Sequence, residues 1–127
     1  MIVVDASAAV AALLNDGQAR QVLGAERLHA PHLIDAEIAS ALRRQVHTNK
    51  VSATDGWNAL DTWQRLALMR YPMVGLLKRF WALRDNLSAY DASYVALAES
   101  LDCALVTADA RLSNAADLRC PITLIPR

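Results

Sequence analysis

The chain has 127 residues, 54% of them hydrophobic, and its 13 basic and 13 acidic side chains leave no net charge. That length fits one domain, residues 1–127, with enough core to fold without disulfides or a structural metal. The balance excludes a strongly basic or acidic chain, and the apolar run Ile2 to Leu14, broken by Asp5, is too short to span a bilayer.

Ile2–Val4 reads as a short buried strand, closed by Asp5. Ser7–Leu14 follows as a helix that Asp5 or Ser7 can cap. Asn15-Asp16-Gly17 signals a turn, a short helix covers Gln18–Leu23, and Leu28–Ala30 is expected as a second strand ending at Pro31. Ile34, Ile38, Leu42 and Val46 recur every fourth residue, which predicts an amphipathic helix from Leu33 to about Thr48. Ser52 with Asp55 three residues on has the capping-box pattern and opens a helix to about Leu68. Met69–Met73 is expected as a third strand, demoted to an edge by Pro72. A helix over Val74–Leu83 and a loop at Asp85-Asn86-Leu87 come next. Ser88 or Ala89 then opens a helix to Leu101. Ala104–Val106 is a buried strand, a short helix follows Asp109, and Ile122–Ile125 is the last strand. Strands separated by helices predict an α/β fold, a parallel sheet covered on both faces. No repeat or linker divides the chain.

Asp5, Glu37, Asp91 and Asp109 each stand where a strand hands over to a helix, or in the first turn or so of a helix. In a parallel sheet, strand C-termini and the following helix N-termini share one edge, and ligands bind there. Each acid also has a structural reading. Asp5 and Asp109 can be caps, Glu37 can serve the helix macrodipole, and Ser88 with Asp91 forms a capping box. Glu37 lies on or beside the apolar stripe with no base four residues on, which favours a functional role. Several ionised carboxylates cannot share a small site without raised pKa values or a cation between them. Four at one edge therefore point to a divalent-metal site, and oxygen-only ligands point to Mg²⁺ or Mn²⁺.

The other chemistries find little support. His29, His32 and His47 lack zinc-site spacing, and no glycine-rich loop exists for a nucleotide cofactor. Cys103 and Cys120 read as reduced thiols, and no basic segment precedes the first strand, so a cytoplasmic protein is expected. Between Ser40 and Arg84 bases heavily outnumber acids, which suits a polyanionic substrate as well as solvated helix faces. Trp57, Trp63 and Trp81 lie in that stretch and are read as core or interface packing. An aspartyl phosphatase acting through Asp5 would normally show a second Asp two residues on, where this chain has Ser7. A non-catalytic RNA- or protein-binding module is the other alternative.

Four stretches in series carry a family resemblance: Val3-Val4-Asp5-Ala6-Ser7-Ala8, Leu33-Ile34-Asp35-Ala36-Glu37-Ile38, Leu87-Ser88-Ala89-Tyr90-Asp91-Ala92 and Leu105-Val106-Thr107-Ala108-Asp109-Ala110-Arg111-Leu112. In order, spacing and length the whole chain resembles a PIN domain, and within that superfamily the VapC-type toxin of a toxin–antitoxin pair. The resemblance implies a three-layer α/β/α fold with a central parallel sheet of about five strands. It implies Mg²⁺- or Mn²⁺-dependent endoribonuclease activity, a homodimer, and a small VapB-type antitoxin as partner. A PIN-like RNA-processing nuclease outside such a pair is the alternative within the family. Matched residue by residue, Asp5, Glu37, Asp91 and Asp109 are the metal-binding and catalytic acids, with Ser7 and Thr107 as supporting hydroxyls. Arg43 and Arg44 are candidate RNA contacts. Whether Asp35 or Asp117 joins the site is left open.

Overall fold

The computed structural model describes all 127 residues. Its elements in chain order are β1 (Ile2–Val4), α1 (Ala6–Leu14), α2 (Gln18–Gly24), β2 (Leu28–Pro31), α3 (Ile34–His47), α4 (Ala53–Arg65) and β3 (Leu68–Tyr71). A single 3-10 turn (Val74–Leu76) leads into α5 (Leu77–Ala82), and α6 (Ala89–Leu101), β4 (Ala104–Thr107), α7 (Ala110–Ser113) and β5 (Ile122–Leu124) complete the chain. The five strands form one parallel sheet in the order β3-β2-β1-β4-β5. This is the expected α/β architecture, with helices packed around a central sheet.

Burial explains why such short strands suffice. Ile2, Val3 and Val4 are all buried, as are Leu105, Val106 and Thr107, because a central parallel strand is covered on both faces. Helix α6 lies across β1, β2 and β4, with α5 packed against α6, while α1 contacts β4 and carries α2, α3 and α4. The unbroken buried run Ala92 to Ala98 sets α6 against the sheet, with Ala92, Ala96 and Ala98 allowing a close approach beside the larger Tyr94 and Leu97.

Several boundaries differ from the sequence expectation. Helix α4 stops at Arg65, short of Leu68, because Leu68 is needed by the sheet, where it pairs with Leu28. Strand β3 therefore runs Leu68–Tyr71, leaves Pro72 outside, and is an edge as expected. Pro31 belongs to β2, past the two residues that pair with β1, so its missing N–H costs no bond on that side. The helix expected over Val74–Leu83 opens as a 3-10 turn containing Gly75, a poor helix former. Strand β4 extends to Thr107, whose carbonyl accepts from the Ile125 N–H at 2.9 Å beyond the end of β5.

Of the tryptophans, Trp63 is buried, but Trp57 and Trp81 are exposed on the surface of this chain. No helix is long and apolar enough to cross a membrane.

Candidate active site

The strand order reverses between β1 and β4. From β1 the chain steps outward to β2 and β3, then returns to place β4 on the other side of β1. The crevice at such a switch point, beyond the strand C-termini, is where open α/β sheets hold ligands. Asp5 follows β1 there and Asp109 follows β4. Glu37 comes from the first turn of α3 and Asp91 from the first turn of α6. All four line one cavity of about 560 Å³.

Asp5 is fixed by its neighbours. Its Oδ1 accepts from the Ser7 hydroxyl at 2.7 Å and from the Ala8 N–H at 3.0 Å, so it caps α1 as the sequence allowed. Its Oδ2 accepts from the Thr107 hydroxyl at 2.5 Å. Ser7 Oγ accepts from the Ala108 N–H at 2.9 Å, and Thr107 Oγ1 accepts from the Asp109 N–H at 3.0 Å. The hydroxyls at 7 and 107 thus tie the ends of β1 and β4 together around one carboxylate. Oδ1 has both lone pairs engaged, while Oδ2 keeps one free.

The charges are set unequally. Burial pushes the Asp5 carboxyl above its usual range despite the bonds from Thr107, Ser7 and Ala8, and Asp91 pushes it further. Burial also raises Glu37, against the Tyr94 hydroxyl that donates to its Oε1, with Asp5 and Asp91 adding to the rise. Asp91 is raised by burial and by Asp109, and lowered by the charge of Arg111. Asp109 goes the other way, held below the usual carboxylate range by its side-chain bonds with Arg111. Three half-buried or buried acids with raised proton affinity, facing one another, suit a cation in the chemistry of their donor set. In this conformation, however, no group of three or more His, Cys, Asp or Glu side chains is set to hold a metal ion.

The remaining sequence candidates separate. Arg44 lines the cavity and Arg43 does not. Asp35, although two residues from Glu37, accepts from Arg70 Nε and Nη2 at 2.8 and 2.9 Å and from Trp63 Nε1 at 2.8 Å, outside the cavity. Asp117 also lies outside, bonded through Oδ2 to Asn86 Nδ2 at 3.2 Å, with a left-handed backbone at φ 66°. Sequence reasoning missed Tyr94, Lys50, Arg111 and Arg127 as cavity residues. The spacing of Tyr94, three residues after Asp91, puts both on one helix face and was the available signal. Nothing in the local pattern marks Lys50 or Arg127.

The match to known proteins follows this geometry. Residues 2–118 match the PIN domain family, and the chain belongs to that family. Its relatives place it among the VapC-type ribonucleases. It is 68% identical to a protein named Ribonuclease VapC9 of Mycobacterium tuberculosis over 127 residues, covering 100% of both chains. The fold also matches the crystal structure of PAE2754 from Pyrobaculum aerophilum, with a TM-score of 0.72, 27% identity, and 95% and 81% of the two chains covered. A structure of VapBC2 from Rickettsia felis, bound to a DNA fragment of its promoter, shares the fold at a TM-score of 0.69. There the identity is 14% over 96% of this chain and 98% of that one.

Proposed function

We propose that this chain is a metal-dependent endoribonuclease, the toxin of a type II toxin–antitoxin pair. The observation that carries the reading is the convergence of Asp5, Glu37, Asp91 and Asp109 on one cavity at the switch point of the sheet. Asp5, Glu37, Asp91 and Asp109 would hold Mg²⁺ or Mn²⁺, which when bound supplies Lewis acidity toward a phosphodiester and makes hydroxide available near neutral pH.

The chain's own residues do the rest. Ser7 and Thr107 hold the Asp5 carboxylate in one orientation, and Tyr94 does the same for Glu37. Arg44, Lys50 and Arg127 place positive charge on the cavity wall, where a phosphate backbone would lie. Attack of water on phosphorus expels the 3′ oxygen, leaving a 5′ phosphate and a 3′ hydroxyl. The 2′-hydroxyl takes no part, so preference for RNA comes from shape and contacts. The buried Asp5, with all but one lone pair engaged, is built to be held and not to attack, which argues against an aspartyl-phosphate mechanism.

The partner in this reading is a small VapB-type antitoxin that occupies the groove, and the toxin itself is a cytoplasmic homodimer. The test is purified, partner-free protein incubated with labelled total RNA in Mn²⁺, in Mg²⁺ and in EDTA, beside Asp91→Asn. Discrete metal-dependent fragments bearing 5′ phosphates, absent with the variant, are expected. Intact RNA under every condition, from folded protein, would overturn the reading.

A further inference from the structure

One carboxylate of the cavity is already occupied by a cation of the same chain. The Arg111 N–H and Nε donate to Asp109 Oδ1 at 3.0 and 3.1 Å, and Nε and Nη2 donate to Oδ2 at 3.2 and 2.6 Å. The Asp109 side chain is 15% exposed and that of Arg111 is 84% exposed. The acid is thus anchored in the wall, and the base is free to swing. Arg111 also lines a second cavity of about 480 Å³, which shares Glu37 and Asp91 with the first. It therefore stands where the two hollows meet, over the acids. The other arginines of the acid cavity differ. Arg44 bonds Ser40 Oγ and Arg127 bonds the Ala108 carbonyl, and neither forms an ion pair with an acid of the site.

We propose that Arg111 is a latch: it holds Asp109 until a divalent cation takes that carboxylate, and then moves to a phosphate of the bound RNA. This rests on the endoribonuclease reading above. The fork of Arg111 engages both Asp109 oxygens, so a metal ion arriving there has to share the carboxylate with a guanidinium. Two cations beside one carboxylate repel, and the exposed partner is the one that leaves. Ion pairs in contact with solvent are weak, so the exchange is easy. A freed guanidinium matches the geometry of phosphate, and its place at the meeting of the two cavities lies on the path of a strand threading both.

The test compares wild type with Arg111→Ala and Arg111→Lys, after thermal melts show that all three are folded. Mn²⁺ uptake is measured by calorimetry without RNA. Binding of a short fluorescein-labelled oligouridine is followed by anisotropy over a salt series, in EDTA and in Ca²⁺, with RNA integrity checked on a gel. Arg111→Ala is expected to bind Mn²⁺ about two- to fivefold tighter, having lost a competing exposed ion pair. In Ca²⁺ it binds the RNA more weakly, with the salt slope reduced by about 0.7, the value of one phosphate contact on a single strand. In EDTA it binds RNA as wild type does. Arg111→Lys retains the slope and falls between the two for Mn²⁺. Unchanged or weaker Mn²⁺ binding by Arg111→Ala, or the same RNA deficit in EDTA as in Ca²⁺, overturns the latch. Wild-type protein that takes up neither Mn²⁺ nor RNA overturns the nuclease reading with it, whereas wild type that binds both beside an indistinguishable Arg111→Ala overturns the latch alone.

Discussion

The hydroxyl of Tyr94 on α6 donates to Glu37 Oε1 on α3, joining residues 57 apart in the chain. Tyr94 is buried and Glu37 half-buried, so the bond forms where water cannot readily replace it. It restrains a carboxylate that burial and its acidic neighbours push toward protonation, and it engages Oε1 alone of the two oxygens. Phenylalanine at 94 keeps the packing and removes only this bond. Tyr94→Phe is expected to lose about 0.5–1.5 kcal/mol of stability. Mn²⁺ affinity is expected to fall about 10- to 100-fold, the usual cost of losing a group that orients a ligand. Calorimetric titration with Mn²⁺ decides it: unchanged affinity would mean that Glu37 needs no support from α6.

Asp5 makes the metal-free protein less stable as the pH rises. Its folded-state pKa lies above 3.8, so its contribution is full below that value and is lost as pH climbs through the raised one. Asp5→Asn removes this slope. In EDTA the variant is expected to melt at or above the wild-type temperature near pH 7, with the gap closing toward about pH 4. Cleavage falls by about 100-fold or more, and Mn²⁺ no longer raises the melting temperature. Parallel melting curves at every pH would show that the Asp5 proton is not linked to folding.

Asp35 has the opposite sign. The Arg70 guanidinium holds its carboxyl below the usual range, so its contribution is present above 3.8 and is lost as pH falls through the lowered value. Asp35→Asn is expected to destabilise at neutral pH by no more than about 1 kcal/mol, because the ion pair is partly exposed to screening solvent. The deficit shrinks in acid, while RNA cleavage stays within about twofold of wild type for a surface pair outside the site. A deficit that persists unchanged through acid melts would rule out the charge as its source.

Gly56 keeps α4 close to α3. A Cβ built there meets Val46 Cγ2 at 2.8 Å. Alanine would gain about 1 kcal/mol of helix propensity, set against about 1–3 kcal/mol for overpacking. Gly56→Ala is expected to be neutral to destabilising, and adding Val46→Ala should restore room and yield a double variant more stable than the two single costs predict. Denaturant midpoints of the four proteins give the coupling directly, and simple additivity would refute the contact.

The parts of the fold that could be read in advance are those where chemistry is local. Ser52 and Ser88 cap α4 and α6, each accepting from the N–H of the Asp three residues on, as the capping-box spacing foretold. The strand Ile2–Val4 was plain because three consecutive β-branched residues before an Asp have few other uses. Boundaries decided by a distant partner were not visible: Leu68 leaves the helix for a strand only because Leu28 is there to pair with it. The four acids were found because each falls at a handover between elements, a position readable from the chain alone. Lys50, Arg111 and Arg127 were missed because an arginine or lysine in a loop or short helix looks the same whether it faces solvent or a cavity. Asp35 and Glu37 show the limit most sharply. Two acids two residues apart on one helix face different ways, and only Arg70 and Trp63, about thirty residues away, reveal which one is committed to structure.

The link between Thr107 and Asp5 spans 102 residues of chain, and the strands on either side of it, β1 and β4, are neighbours in the middle of the sheet. A contact of that range closes a long loop, whose entropy cost must be met before the contact stabilises the fold. The first strand to be synthesised waits with one edge bare until the fourth has been made. An incomplete chain with β1, α1 and α3 in native form therefore has the Ser7 hydroxyl on Asp5 but lacks both the Thr107 hydroxyl and the acid at 109. In the reading proposed above, activity therefore waits on β4, the strand that brings Thr107 and Asp109 to Asp5.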